Sequence, residues 1–258
     1  MSVSICFIPL APGAQVTPNG IFALHRSMWP SSPPITDLDY GEGVAKFRIG
    51  SANGFIVRMS IPIPFGNLDE PCKTSFIWPT ASHDLLGHDS HYVVSVTEGG
   101  TPLETAMTLT RLTSALLAAC QGAIGVYYGD AGLVVSSKLY REVATELLMN
   151  SYPILIWMSV RLGPDGSGGT GGYTVGLSSL GLCEIEVASS KLRPNELAPK
   201  LYDLALYLLN SSAVVNDGDT VGQSAKERIR VSYGPSGFGL EGKVMQLRFE
   251  TKGMFGFR

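Results

Sequence analysis

Charge is scarce in this chain, and neither sign is gathered in one place. Over 258 residues, 19 Lys and Arg stand against 22 Asp and Glu for a formal charge of −3, with no block of like charge in either half. Phosphate backbones are held by clustered Lys and Arg, so this distribution argues against nucleic acid as the main partner. Long apolar runs are missing too. No uninterrupted stretch approaches the roughly 18 residues of a membrane-spanning helix, and no membrane partner is expected. Val3 to Leu10 is apolar, but no basic residue precedes it and the run is short for a secretory leader, so the expected compartment is the cytoplasm. The four cysteines show no CxxC spacing. Cys6, Cys120 and Cys183 lie in apolar patterns and read as small buried hydrophobes in a reducing compartment. Cys72, between Pro71 and Lys73, reads as exposed.

Catalytic signatures are equally thin. Neither G-x-S-x-G nor S-x-x-K occurs, and Gly176 to Gly181 has one residue too many for a nucleophile elbow. The glycine-rich run Gly163 to Gly172 has no lysine and is followed by strand-like sequence, so it reads as a hairpin connection and not as a phosphate cradle. No cofactor is expected.

What the chain does carry is a repeated pattern. His91 to Val96 is strand-like. Thr101-Pro102-Leu103-Glu104 then offers an N-cap, a proline at the first helical position and a capping-box acid. Leu109, Leu112, Leu116 and Leu117 recur at helical spacing up to Cys120, and Ala123 to Tyr127 returns as strand. The second copy runs from Leu182–Val187 through a helix near 195–210 to Ala213-Val214-Val215 and a Gly218-Asp219 turn. Pro199 places the start of that helix close to Glu196 or later. Upstream strands at 54–61 and 154–160 extend each copy to strand–strand–helix–strand. The expectation is one α+β domain in which two pseudo-repeated units, 54–150 and 151–258, share a mainly antiparallel sheet with helices packed on it. Residues 1–53, punctuated by proline, read as a poorly patterned segment packed on that core with one or two edge-type strands. Arg228–Tyr233 and Lys243–Glu250 alternate apolar and polar and read as an antiparallel pair.

Four groups of residues carry candidate chemistry. His83, His88 and His91, interleaved with Asp84 and Asp89, have the donor types of a metal site, though their spacing fits no helical signature. Their other reading is a polar loop with His91 anchoring a strand start. Glu184 and Glu186 share one strand face, either as paired acid–base carboxylates or as a solvated surface. Trp29 and Trp78, each before a proline, are either exposed anchors for a partner or lids over a sheet end. Asn216-Asp217-Gly218-Asp219 is turn chemistry before it is calcium chemistry.

Pro153 to Trp157, Thr174-Val175-Gly176-Leu177, Leu180 to Val187 and Asn216 to Gly222 together resemble the bacterial family of domain of unknown function 4261. Ile61-Pro62-Ile63-Pro64, Trp78-Pro79 and His91 resemble its N-terminal part, so the resemblance runs over about residues 55–233. It implies no catalytic or ligand residue. It implies an accessory or immunity-type partner in a bacterial toxin or secretion system. The expected function is therefore a non-catalytic protein-binding module whose partner is another protein, such as a toxin or effector, with Trp29, Trp78, Glu184 and Glu186 as contact residues. The alternative is a metal-dependent hydrolase on His83, His88 and His91. A self-assembling protein using a free sheet edge is a third reading, and the sequence leaves the oligomeric state open.

Overall fold

The computed structural model describes residues 3–14, 16–211, 214–222 and 227–249. Its strands are β1 (Val3–Leu10), β2 (Ile35–Gly41), β3 (Val44–Ile49), β4 (Ala52–Met59), β5 (Ser90–Thr97), β6 (Gly125–Tyr128), β7 (Leu133–Ser136), β8 (Ser159–Pro164), β9 (Thr170–Val175), β10 (Ile185–Ser190), β11 (Thr220–Val221), β12 (Ile229–Pro235) and β13 (Lys243–Phe249). The α-helices are α1 (Pro18–Met28), α2 (Phe65–Thr74), α3 (Ala81–Asp84), α4 (Pro102–Ala119), α5 (Ser137–Leu147) and α6 (Pro194–Ser211). The class is α+β. The strands form two sheets instead of one shared sheet, and the chain divides into two units: residues 1–159 with 176–182, and residues 160–175 with 183–258.

In the first unit a seven-stranded sheet runs β2-β3-β4-β5-β1-β6-β7. The N-terminal residues build this sheet instead of resting on it. β1 lies between β5 and β6 and is antiparallel to both, with Cys6, Ile8 and Leu10 fully buried. Its apolar run lacks strict alternation because both faces are covered. Pro9 is tolerated near its end, and of the strands within residues 1–53 only β2 occupies an edge. Polar residues between Gly66 and Ser75 suggest a connection in the sequence, but Phe65–Thr74 form helix α2 with Pro71 inside it. Its Leu68 joins Ile63, Trp78, Leu85 and Val134 in one buried cluster that also takes in Cys72. Cys72 is therefore buried, contrary to its polar neighbours in sequence.

Helix α4 is capped as its sequence predicts. Thr101 Oγ1 accepts the Glu104 amide at 3.2 Å, and Glu104 Oε2 accepts the Thr101 amide at 2.8 Å. The segment 154–156, which reads as a buried strand, is a 3-10 turn. It delivers Trp157 into the core, where its indole N–H donates to Thr110 Oγ1 on α4 at 2.7 Å.

In the second unit a six-stranded sheet runs β11-β12-β13-β10-β9-β8. The glycine-rich run is the predicted hairpin connection. Asp165 Oδ1 accepts from the amides of Ser167 and Gly169, both at 2.8 Å, which ties the loop into a tight turn. β12 and β13 pair antiparallel from Ile229↔Phe249 to Pro235↔Lys243, as their alternation predicts. β10 and β13, in contrast, pair parallel.

The two copies are not equivalent in space. One strand, β1, separates β5 from β6 in the first, whereas β12 and β13 separate β10 from β11 in the second. Ala213 lies outside the described residues, and Val214 and Val215 are not in a strand. Helix α6 begins at Pro194 and contains Pro199. The proline removes one intrahelical hydrogen bond, and burial of Leu197 and Leu201 on either side holds the turn.

Helix α1 starts at a Thr17 cap and Pro18 and ends in a buried imidazole, His25, 2 % exposed. Burial, with Arg111 of α4 nearby as a second cause, pushes its pKa from 6.5 down to about 4. Between those values the unfolded chain holds a proton that the folded chain does not, so stability falls as pH drops from 6.5 toward 4 and then levels. The shift corresponds to about 3 kcal/mol. We expect His25→Gln to remove about that much of the stability lost between about pH 7.5 and about pH 4, read from denaturant unfolding at each pH.

Candidate functional site

The second unit holds a groove of about 600 Å³ between α6, β11, β12 and the end of β13. It exists because α6 is apolar on more than one face. Leu197, Leu201, Ala205 and Leu208 form the buried stripe. Leu204 and Tyr207 lie at its border, where Leu204 is half-buried and Tyr207 is 52 % exposed. Opposite them, Ile229 and Leu247 supply the floor from the sheet.

Residues 214–219, which lead into β11, form one wall and are tied down by hydrogen bonds. Asp219 Oδ2 accepts the Asn216 amide at 2.7 Å, and the Gly218 amide donates to the Val231 carbonyl at 2.9 Å. Tyr233 donates its hydroxyl to the Val215 carbonyl at 2.9 Å, and Asp217 Oδ1 accepts the Tyr233 amide at 2.9 Å. The Asn-Asp-Gly-Asp run is thus a turn whose carboxylates cap backbone amides. This wall presents Val214, 81 % exposed, to the groove.

The rim is acidic. Among the described lining residues, Asp203, Asp219 and Glu227 stand against Lys200, a formal balance of −2, and Lys200 is 2.6 Å from Glu227 in a partly sheltered ion pair. The described lining includes hydroxyls from Thr220 and Tyr207. These residues offer apolar contact and negative charge.

The residues singled out in the sequence lie elsewhere. Glu184 and Glu186 are buried, 8 % and 3 % exposed, and do not form a solvated face. Thr174 donates its hydroxyl to Glu184 Oε2 at 2.7 Å and accepts the Ile185 amide at 2.8 Å, which joins β9 to the start of β10. Glu186 accepts the Ser236 hydroxyl at 2.7 Å and the Gly237 amide at 3.1 Å, and so pins the loop between β12 and β13. Both carboxylates are fixed by structural donors, which leaves neither on a contact surface.

Trp29 and Trp78 are both 6 % exposed, so neither is an exposed anchor. Trp78 packs in the α2–α3 cluster and donates its indole N–H to Asp84 Oδ2 at 2.8 Å. That bond, with a second from the Thr80 hydroxyl, lowers the Asp84 pKa, the Thr80 bond most. The histidines do not converge. His83 is a surface side chain 3.2 Å from Asp84. His88 accepts the Ile63 amide through Nε2 at 2.9 Å and donates Nδ1–H to the Leu85 carbonyl at 2.5 Å, which occupies both ring nitrogens. His91 is buried and donates Nδ1–H to the Ile61 carbonyl at 2.8 Å. Among the described residues no group of three or more His, Cys, Asp or Glu is placed to hold a metal ion. No described helix is long and apolar enough to cross a membrane.

Helical spacing places Leu204 with Leu197, Leu201, Ala205 and Leu208 in one covered stripe, whereas in the structure Leu204 is half-buried and lines the groove beside exposed Tyr207.

The family model described as Domain of unknown function (DUF4261) matches residues 173–248. The chain is similar to that family over this segment, which is less than half of its length. The DUF4261 match begins in β9 and ends in β13, and it includes every groove residue except Phe249. Residues 55–172 of the resemblance, with Trp78 and His91, lie outside it. No curated protein and no solved structure matches the chain.

Glu186 gives this segment a direct test. Glu186→Ala leaves the Ser236 hydroxyl and the Gly237 amide without their acceptor, and we expect a loss of about 2 kcal/mol in denaturant unfolding. Glu186→Gln keeps an acceptor oxygen and is expected to lose less than half as much.

Proposed function

We propose that this chain is a non-catalytic protein-binding module, of the immunity or accessory type in a bacterial toxin or secretion system. The observation that carries the reading is the groove of the DUF4261 segment, apolar within and acidic at its rim. Exposed Tyr207 and Val214 beside a half-buried Leu204 are the anchors a partner covers. The partner whose chemistry fits is a protein segment with apolar side chains flanked by Lys or Arg. The strand β11 is two residues long at the sheet edge, so side-chain contact in the groove, and not strand addition, dominates recognition.

The test is co-purification of the full chain with the product of each adjacent gene at low salt, followed by light scattering. The expected result is a stoichiometric complex with an effector-like product, weakened at least about tenfold by Tyr207→Asp with Val214→Asp while the thermal melt is unchanged. A chain that elutes free of every such product overturns the reading, as does a complex indifferent to both substitutions.

A further inference from the structure

The groove of the second unit and the residues that follow β13 have complementary chemistry. Phe249, the last residue of β13, lines the groove and pairs with Ile229, which lines it too. The chain therefore leaves the sheet at the mouth of the groove. Residues 250–258 lie outside the described residues, and from position 251 their sequence is Thr-Lys-Gly-Met-Phe-Gly-Phe-Arg.

That stretch has the make-up the groove calls for. Met254, Phe255 and Phe257 stand between Lys252 and Arg258, and no acid occurs after Glu250. Two cations thus meet the formal balance of −2 that Asp203, Asp219, Glu227 and Lys200 give the described lining. The three large apolar side chains gain by leaving water, and the groove offers Leu204, Tyr207 and Val214 to cover. Its volume of about 600 Å³ lies in the roughly 300–1,000 Å³ range of small-ligand sites, which is room for a few side chains.

Reach is sufficient. Eight residues extended at about 3.3–3.6 Å each span roughly 26–29 Å. The groove wall on α6 from Lys200 to Tyr207 is only about 10 Å long at a rise of about 1.5 Å per residue. Gly253 and Gly256 permit the change of direction that a return from the strand end requires.

We propose that the groove is an autoinhibited binding surface whose resident occupant is this chain's own segment Thr251–Arg258. Met254, Phe255 and Phe257 cover the apolar lip, and Lys252 and Arg258 meet the acidic rim. A partner segment then binds only by displacing this one, which its tether holds at an effective concentration on the order of 1 mM. The proposal rests on the groove being a recognition surface and not on any toxin or secretion partner.

The test is titration of a fluorescein-labelled synthetic peptide of residues 251–258 into the full chain, followed by anisotropy. A full-length variant with Met254→Ser, Phe255→Ser and Phe257→Ser is expected to bind the peptide with Kd about 50 µM or tighter. The unsubstituted chain is expected to bind it about twentyfold or more weakly, because its own segment fills the groove about nineteen times in twenty. Adding Tyr207→Asp and Val214→Asp to the variant is expected to weaken the peptide at least about tenfold, and higher salt to weaken it several-fold. Equal binding to the unsubstituted chain and the variant, binding to neither, or binding indifferent to Tyr207→Asp with Val214→Asp overturns the proposal. Light scattering is expected to show a monomer. A concentration-dependent dimer dissolved by the three serine substitutions assigns the segment to a second copy and overturns the intramolecular contact. No partner enters this experiment, so its failure leaves the co-purification result standing, and failure of co-purification leaves the peptide result standing.

Discussion

The first unit depends on the burial of α4. Ten of its 18 residues are buried, more than one face of a surface helix accounts for, so it must be covered from several sides at once. α1, α5, β1 and β5 all pack against it. Four of the ten are Thr or Ser, and a buried hydroxyl is costly unless bonded. Thr105 and Thr110 donate back to the Thr101 and Ala106 carbonyls, while Ser114 Oγ is buried without a partner among the described residues. Thr110 also takes the Trp157 indole N–H, and Thr113 meets the Cys6 thiol at 3.1 Å. These contacts fix β1 and Trp157 to the helix by direction as well as by area. Burial accordingly drives the Cys6 thiol up to about 12, which makes it a packing residue and a poor nucleophile.

The same logic, relaxed, accounts for the groove in the second unit. α6 has the length of α4 but only one covered stripe, and its neighbouring apolar positions stay partly open. A turn pinned by Asp217, Asp219 and Tyr233 sets the opposite wall. The groove therefore combines a hydrogen-bonded turn with apolar side chains at its lip.

The buried carboxylates show how an active-site pattern arises from structural need. Glu184 and Glu186, two apart on a strand, have the spacing of an acid–base pair, but Thr174, Ser236 and Gly237 take up their oxygens. The histidine cluster follows the same course, since His88 and His91 bond the backbone around Ile61 and Ile63. Among the described residues, His25 and Trp29 are two of those with a buried polar atom that lacks such a partner, and they lie where no sequence motif points.

The sequence by itself determined the elements whose signals are local. The Thr101–Glu104 capping box, the leucine spacing of α4, the alternation of β12 and β13 and the glycine hairpin before β9 each depend on residues a few positions apart. Tertiary structure alone decided what depends on distant partners. β1 is central because β5 and β6 flank it, although nothing within Val3–Leu10 sets its neighbours. The two repeat-like copies went to separate sheets because strand pairing is settled by backbone edges and turn lengths, not by the helix pattern they share. Whether Glu186, Trp78 or Tyr207 faces solvent is likewise a property of what folds over it. Burial is a relation between segments far apart in the chain, and one segment read alone does not contain it.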